Sequence, residues 1–263
     1  HHLPFPYPWE SRMTSPKQFF RDTLAKLLES KGLEADTDLC GFMVETFQGW
    51  GAIFFPDEFI KELVDYAHEH GMLVAFDEMQ AGFGRTGELF GYMHYGVEPD
   101  LLCCGKGASS SLPLAIVLGS QEVMDLPDVG SMSSTHSANP LACLAGKANL
   151  EVLLEDGLIT NSKILGKVLH RNLNQIKARF PEHLTHVGGR GLLAALIFVS
   201  PDGIPLSSLC DKVSELCMHR GLLVVHTGRE SIKLAPPLMI HEEALLEGLS
   251  VLESTIEDVI DSE

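Results

Sequence analysis

Two charged residues follow apolar runs of strand length, where a sheet would present them to a ligand. Asp77 comes directly after the run 72–76, and Lys106 follows the run 101–104 across one glycine. Ligands of open α/β sheets bind at the carboxyl ends of the strands. A charge beside a core is costly unless it has a partner. The two residues therefore either form ion pairs, with each other or with surface groups, or carry out chemistry.

The surroundings of Lys106 favour the chemical interpretation. Gly105 and Gly107 flank it, and small neighbours let another molecule approach the amine closely. A partly desolvated lysine has a lowered pKa and can act as a nucleophile. Downstream, hydroxyl side chains of residues 133–135 precede Asn139 and a predicted helix, where hydroxyls and free amides can hold a phosphate.

The elements that must position these residues alternate between strands and helices. The run 41–45, a helix after Pro56 and the run 72–76 form a predicted strand–helix–strand crossover. Strands without polar alternation indicate a parallel sheet covered on both faces. The further predictions are an extended lead-in over 1–16, helices over 17–31, 139–154, 161–179 and 206–220, an apolar segment over 113–119, and strands over 192–198, 222–225 and 231–234. We therefore predict an α/β large domain over residues 1–150 and a smaller α+β domain over residues 151–263.

Composition limits the possible partners. The 263 residues are 45% hydrophobic, which is enough for one large domain or two modest ones. The formal net charge of −17 argues against binding to nucleic acid or to an anionic membrane surface, and no apolar run reaches membrane-spanning length. Six cysteines without a C-x-x-C spacing predict buried, reduced thiols rather than a zinc site.

Three motifs carry a resemblance to a known family. Residues 76–87 read FDEMQAGFGRTG, residues 96–100 read GVEPD, and residues 105–107 read GKG. This set resembles the class III (subgroup II) aminotransferases, which are pyridoxal-phosphate enzymes of fold type I. The interval from Asp77 to Lys106 and that from Lys106 to Thr135 are both 29 residues, in agreement with the family pattern. The resemblance runs from about residue 36 to the C-terminus.

The resemblance implies a role for each of four residues. Lys106 forms the Schiff base with pyridoxal 5'-phosphate and then moves a proton between substrate and cofactor carbons. Asp77 binds the pyridine nitrogen and keeps it protonated, because a nearby opposite charge favours the charged form. Gln80 binds the 3-oxygen of the ring. Thr135 reaches the cofactor phosphate of the neighbouring subunit, which implies a homodimer.

Three further residues resemble the family's substrate region. Glu45 begins a Glu-Thr-Phe-Gln-Gly segment in which Thr46 replaces the family's proline; it either orients the cofactor region or has a structural role. Lys233 stands where many relatives use an arginine fork for a substrate carboxylate, and Trp50 stands near their acidic gate residue. We therefore expect substrates other than 4-aminobutyrate or ornithine. Lys233 either receives a carboxylate or phosphate or is a surface lysine.

The chain starts later than the family pattern does. Family members carry an earlier segment with a phosphate-binding Gly-Ser/Thr loop and an aromatic residue that stacks on the cofactor. We expect this N-terminal part of the large domain to be missing here. The expected protein is a cytoplasmic aminotransferase that uses an amino acid or amine donor and a keto acid or aldehyde acceptor. The alternatives are a racemase, aminomutase or phospho-lyase with the same cofactor, or a truncated and catalytically incomplete module.

Overall fold

The first helix shows how local sequence sets the helix boundaries. In a computed structural model, which describes residues 1–9 and 15–262, helix α1 (Pro16–Lys31) begins after Ser15. The Ser15 side chain accepts a hydrogen bond from the Gln18 amide, and Gly32 ends the helix with a φ of 63°. Glycine adopts this left-handed conformation without steric cost. The predicted lead-in over residues 1–16 lies partly outside the described residues, since 10–14 are not among them.

The other elements follow in chain order. Further helices are α2 (Ala35–Asp38), α3 (Asp57–Glu69), α4 (Gln121–Met124), α5 (Pro140–Glu155), α6 (Leu158–Arg179), α7 (Ser207–His219) and α8 (Glu242–Asp261). The strands are β1 (Gly41–Glu45), β2 (Phe47–Gln48), β3 (Ile53–Phe54), β4 (Leu73–Asp77), β5 (Leu101–Cys104), β6 (Ile116–Gly119), β7 (Leu184–Arg190), β8 (Leu193–Phe198), β9 (Val225–His226) and β10 (Ser231–Leu234). Short 3-10 turns span Gly91–Tyr95 and Lys106–Ala108. Within the described residues, no helix is both long and apolar enough to cross a bilayer.

The chain divides into two compact units. The first comprises His1–Phe47, Phe55–Gly82 and Gly91–Glu151, and the second comprises Gln48–Phe54, Phe83–Phe90 and Val152–Glu263. The predicted domains are a large domain over residues 1–150 and a smaller α+β domain over residues 151–263. That boundary remains a prediction, which expression of residues 151–263 alone would test.

A four-stranded sheet forms the centre of the first unit. Its order is β1-β4-β5-β6; β1, β4 and β5 are parallel, and β6 runs antiparallel to β5. Val74 and Phe76 of β4 have no exposed surface, as expected for a strand covered by helices. The predicted α/β fold with a mostly parallel sheet is therefore confirmed. The antiparallel direction of β6 was not predicted, because an apolar run indicates a strand but not its direction.

Helices α1 and α3 pack through aromatic rings and a buried carboxylate. The rings of Phe20 and Phe59 meet edge to face at 5.5 Å, and both side chains are buried. The buried Glu62 carboxylate lies 2.6 Å from Lys17 Nζ and also pairs with Arg21. Burial raises the pKa of Glu62, but the hydrogen bonds from Lys17 and Arg21 outweigh it and hold that pKa below its usual value.

The second unit has its own sheet and core. The order β7-β8-β10-β9 is antiparallel throughout, and every residue of β8 is buried. Apolar residues of α6, α7 and α8 complete the core, among them Leu173, Val213 and Ile256, each with no exposed surface. This arrangement is an α+β unit with helices packed on an antiparallel sheet.

The structure differs from the sequence predictions at four points. The predicted strand over 222–225 is reduced to β9, which shares only Val225 with it, and the Gly-rich strand β7 was missed. Helix α6 begins at Leu158 rather than at residue 161. Cys40 and Cys143 are exposed, so the prediction that the thiols are buried was wrong for these two, although all six cysteines are free.

Candidate active site

Three neighbouring strands of the first unit end at one edge of the sheet. The parallel register places Glu45 beside Asp77 at the last pair of β1 and β4, and Asp77 beside Cys103 on β5. Lys106 follows two residues after the end of β5. Because the carboxyl ends of parallel strands share an edge, their terminal side chains lie together.

A cleft opens at this edge. Its lining residues are Glu45, Thr46, Phe47, Asp77, Met79, Gln80, Ala81 and Lys106. Four of the residues predicted from the sequence are therefore brought together: Glu45, Asp77, Gln80 and Lys106. A carboxylate, an amide and a primary amine in one cleft can accept a proton, bind a polar ring substituent and form a covalent bond to a carbonyl carbon.

The Asp77 side chain is held by its own chain. The half-buried carboxylate accepts a hydrogen bond from the Met79 amide at 2.9 Å through Oδ1. The other oxygen, Oδ2, has no hydrogen bond to any of the residues that the structure describes. One oxygen thus orients the carboxylate, and the other is available to accept a hydrogen bond within the cleft.

Lys106 has a strained backbone and an exposed side chain. Its φ is 42°, in the left-handed region that non-glycine residues rarely adopt. A Cβ at the preceding Gly105 would lie 2.3 Å from Met79 Sδ, so a larger residue there would displace the Met79 side chain that lines the cleft. From α5, the Asn149 amide donates to the carbonyls of Gly107 and Ala108 at 2.8 and 3.1 Å. Backbone strain of this kind clusters at functional sites, where surrounding contacts maintain it.

A buried carboxylate that was not predicted from the sequence lies beside the cleft. Glu78 has no exposed surface and accepts hydrogen bonds from Thr46 Oγ1 at 2.6 Å, the Gly91 amide at 2.8 Å and the Tyr92 amide at 2.7 Å. Burial raises the pKa of Glu78, while these hydrogen bonds lower it in part. Burial also raises the pKa of the neighbouring Cys104 to about 11. The signal in the sequence was a second acidic residue directly after Asp77.

Thr135 lies apart from these residues. It is exposed, in the turn where the Ser134 amide donates to Ser137 Oγ at 3.2 Å, and it is not among the residues that line the cleft. Within this chain the structure therefore does not bring Thr135 to Lys106.

Strand β10, which carries Lys233, is hydrogen-bonded to the loop that carries Trp50 in the second unit. Lys233 is half-buried, and its Nζ donates to the Gly49 carbonyl at 2.9 Å. Ser231 Oγ donates to the Trp50 carbonyl at 2.8 Å, and the Arg229 guanidinium lies 4.0 Å from the centre of the Trp50 ring. Strand β10 thus fixes the loop that carries Trp50, and Lys233 is not simply a surface lysine.

A family model and curated proteins of known function match most of this chain. The family model for the class-III aminotransferases matches residues 1–256. The chain is 34% identical over 225 residues to the 4-aminobutyrate aminotransferase of Mycobacterium leprae, which covers 84% of this chain and 50% of that protein. It is 33% identical over 226 residues to the alanine/serine racemase of Pyrococcus horikoshii, which covers 85% of this chain and 47% of that protein. The chain spans about half the length of the curated relatives it matches.

Solved structures share the fold. An amine transaminase from an uncultivated Pseudomonas species, in its PLP-bound form, superposes with a TM-score of 0.87 at 27% identity, over 98% of this chain and 61% of that one. A transaminase from the marine bacterium Virgibacillus gives a TM-score of 0.84 at 29% identity, over 94% of this chain and 58% of that one.

Proposed function

The chain belongs to the class III aminotransferase family, and on that basis we propose that its protein is a pyridoxal 5'-phosphate-dependent aminotransferase. The observation that carries this proposal is the cleft in which Asp77, Gln80 and Lys106 meet at adjoining strand ends. The amino donor is an amino acid or amine, and the acceptor is a keto acid or aldehyde.

The residues of the cleft fit the cofactor. Asp77 has one oxygen held by the Met79 amide, and its other oxygen can accept the N–H of a protonated pyridine nitrogen. Lys106 is exposed and lines the cleft, so its amine is accessible to a carbonyl carbon of the cofactor. The Gln80 amide can bind the ring's 3-oxygen, and Glu45, exposed at the end of β1, can orient the cofactor region.

Asp77 and Lys106 have different roles in the proposed reaction. When bound, the cofactor supplies a conjugated ring that takes up electrons from the carbon next to the amino group. The Asp77 carboxylate keeps the ring nitrogen protonated through its negative charge. Lys106 Nζ would hold the cofactor covalently, and as a free amine it would move a proton from one carbon atom to another.

We also propose a homodimer in which Thr135 contributes to the cofactor phosphate site of the neighbouring subunit. Thr135 is exposed, and the segment before it carries Leu126, Val129 and Met132 with more than 70% of their surface exposed. Such a run of exposed apolar side chains is typical of a surface that a partner covers.

Trp50 and Lys233 are proposed for the substrate side. Lys233 is bound to the Gly49 carbonyl, and the Trp50 ring is packed by Arg229, so the loop presents an aromatic wall. On this basis we propose donors other than 4-aminobutyrate or ornithine. For the compartment we propose the cytoplasm, because all six thiols are free and disulfides are rare there.

The test measures cofactor binding in the whole protein as expressed from its gene. Wild-type protein with pyridoxal phosphate should show a visible absorbance band. Borohydride reduction should remove this band and leave the cofactor permanently attached to the protein. We expect Lys106→Ala to abolish that band and amino transfer to a keto acid, while Lys61→Ala, at an exposed position of α3, retains both. A band unchanged in Lys106→Ala would contradict the assignment of the lysine.

A racemase is the second candidate, because the 33% identical relative from Pyrococcus horikoshii is an alanine/serine racemase. Both reactions need Asp77 and Lys106 in the same roles, so the cleft does not separate them. Loss of optical activity from L-alanine without any added keto acid would favour racemisation. Amino transfer that depends on the keto acid would favour the aminotransferase. If the protein shows neither activity, an aminomutase or phospho-lyase would be favoured instead.

A further inference from the structure

The buried pair of Thr46 and Glu78 has no role in the mechanism described above. Glu78 Oε1 accepts both the Thr46 hydroxyl at 2.6 Å and the Tyr92 amide at 2.7 Å, and Oε2 accepts the Gly91 amide at 2.8 Å. Thr46 is 1% exposed and Glu78 has no exposed surface. A buried carboxylate that loses a hydrogen-bond donor destabilises the folded protein. The three donors to Glu78 are therefore expected to stay in place.

The pair lies where the backbone ladder ends. Glu45 and Asp77 form the last register pair of β1 and β4, and Thr46 and Glu78 are the next residue on each strand. Their side-chain hydrogen bond continues the link between the strands beyond the last ladder pair. The Tyr95 hydroxyl donates to the Thr46 carbonyl at 2.6 Å, so Thr46 is held at both its side chain and its backbone.

Packing around the pair leaves no space for adjustment. A Cβ at Gly91 would lie 2.7 Å from Ala81 Cβ, 2.8 Å from Thr46 Cγ2 and 3.4 Å from a Glu78 oxygen. Real Cβ atoms do not approach other atoms at the first two distances, so only glycine allows the turn to donate its amides to Glu78. The position of Thr46 is therefore set from three sides.

We propose that Thr46 and Glu78 are positioning residues of the cleft. Their hydrogen bond fixes the ends of β1 and β4, so that the Asp77 carboxylate meets the ring nitrogen of the cofactor in one geometry. The hydrogen bond that Asp77 would accept from the ring nitrogen weakens steeply when its angle or length changes, so the spacing of the strand ends affects it. This inference rests on the proposed function. The titratable groups that face Glu78 are Asp77, Cys104 and Tyr92.

The experiment compares Thr46→Val with Thr46→Ser in the whole protein loaded with pyridoxal phosphate. Valine keeps the branched shape and removes the hydroxyl, while serine keeps the hydroxyl. For valine we expect the dissociation constant of the cofactor to rise about tenfold. We also expect the pH midpoint of the visible band to move up by about one unit. A ring that is less firmly protonated withdraws fewer electrons, so the nitrogen that joins Lys106 to the cofactor keeps its proton to higher pH.

The serine variant is the rescue control, and it should stay within about twofold of wild type in cofactor binding, because it retains the donor to Glu78. Glu78→Gln tests the pair from its other side and replaces the valine variant if that protein does not fold. Glutamine has nearly the same shape, but its amide group would face the Gly91 N–H, donor against donor. We expect the same upward shift of the midpoint.

A purely structural role predicts a different result. Thr46→Val would then lower the unfolding temperature of the cofactor-free protein and leave the cofactor affinity and the pH midpoint at their wild-type values, which would overturn the proposal. Failure of the proposed function is seen separately, as a wild-type protein without a visible band or a Lys106→Ala protein that retains it.

Discussion

Replacing Gly166 with alanine measures how closely α6 packs against the turn between β7 and β8. Alanine in a helix is usually more stable than glycine by about 1 kcal/mol, because glycine loses more backbone entropy on folding. At Gly166, however, a Cβ would lie 2.5 Å from Gly191 Cα and 2.6 Å from the Gly191 carbonyl oxygen. Gly191 is itself packed on its other side, where a Cβ would lie 2.3 Å from the Thr86 carbonyl carbon.

Steric overlap outweighs helix propensity at this position. Overpacking costs about 1–3 kcal/mol, and the upper end applies because the overlap is with backbone, which has no rotamer to change. Subtracting the helix gain of about 1 kcal/mol leaves a net destabilisation of about 2 kcal/mol for Gly166→Ala. For a protein of this size that corresponds to a fall in Tm of about 4–8 °C.

Gly248→Ala in α8 is the matched control. There the nearest atom to the added Cβ is Leu222 Cδ1 at 3.3 Å, the end of a flexible side chain. We expect this variant to be stabilised by about 0.5–1 kcal/mol. Thermal unfolding followed by circular dichroism compares both variants with wild type. If Gly166→Ala were as stable as Gly248→Ala, the close approach of α6 to Gly191 would not constrain the fold.

Three further outcomes follow from single contacts. Because the pKa of Glu62 is lowered in the folded protein, its stabilisation is present above pH 4.5 and is lost as the pH falls through the folded value. Glu62→Gln should therefore be less stable at pH 7 and show a flatter acid-unfolding curve by fluorescence. Brief iodoacetamide treatment should label the exposed Cys40 before Cys104 or Cys210, since burial raises the pKa of the latter two to about 11 and about 12; peptide mass spectrometry reads the order. Lys233→Met removes the hydrogen bond to the Gly49 carbonyl, and limited proteolysis should cut residues 48–54 several-fold faster.

The fold was predictable where local signals agree. Proline before α3, glycine after α1 and uninterrupted apolar runs at β4 and β5 each specify an element from its own residues. Strand β7 was not predicted because its glycines are required by contacts with other parts of the chain. A Cβ at Gly188 would lie 2.3 Å from the Gly51 carbonyl oxygen, and Gly189 has a φ of 112°. Contacts of this kind depend on residues more than 100 positions away, which no local pattern contains.

The site was predictable where its residues follow predicted strands. Asp77 and Lys106 stand out because each follows a buried strand, and parallel pairing brings such positions to one edge without further information. The positive φ of Lys106 and the caps that Asn149 provides could not be predicted, since both depend on how α5 packs. The position of Thr135 relative to the cleft remains a prediction about a second subunit.

Thr46 shows why a departure from a family pattern cannot be interpreted at its own position alone. In the sequence, threonine in place of proline is only the loss of a rigid residue after β1. In the structure its hydroxyl is one of three donors to a carboxylate 32 residues further along the chain. Valine would suit the end of a strand equally well. It would, however, leave Glu78 with only its two backbone donors, and the loss of a hydrogen bond to a buried carboxylate is costly. The requirement for a hydroxyl at position 46 thus comes from Glu78.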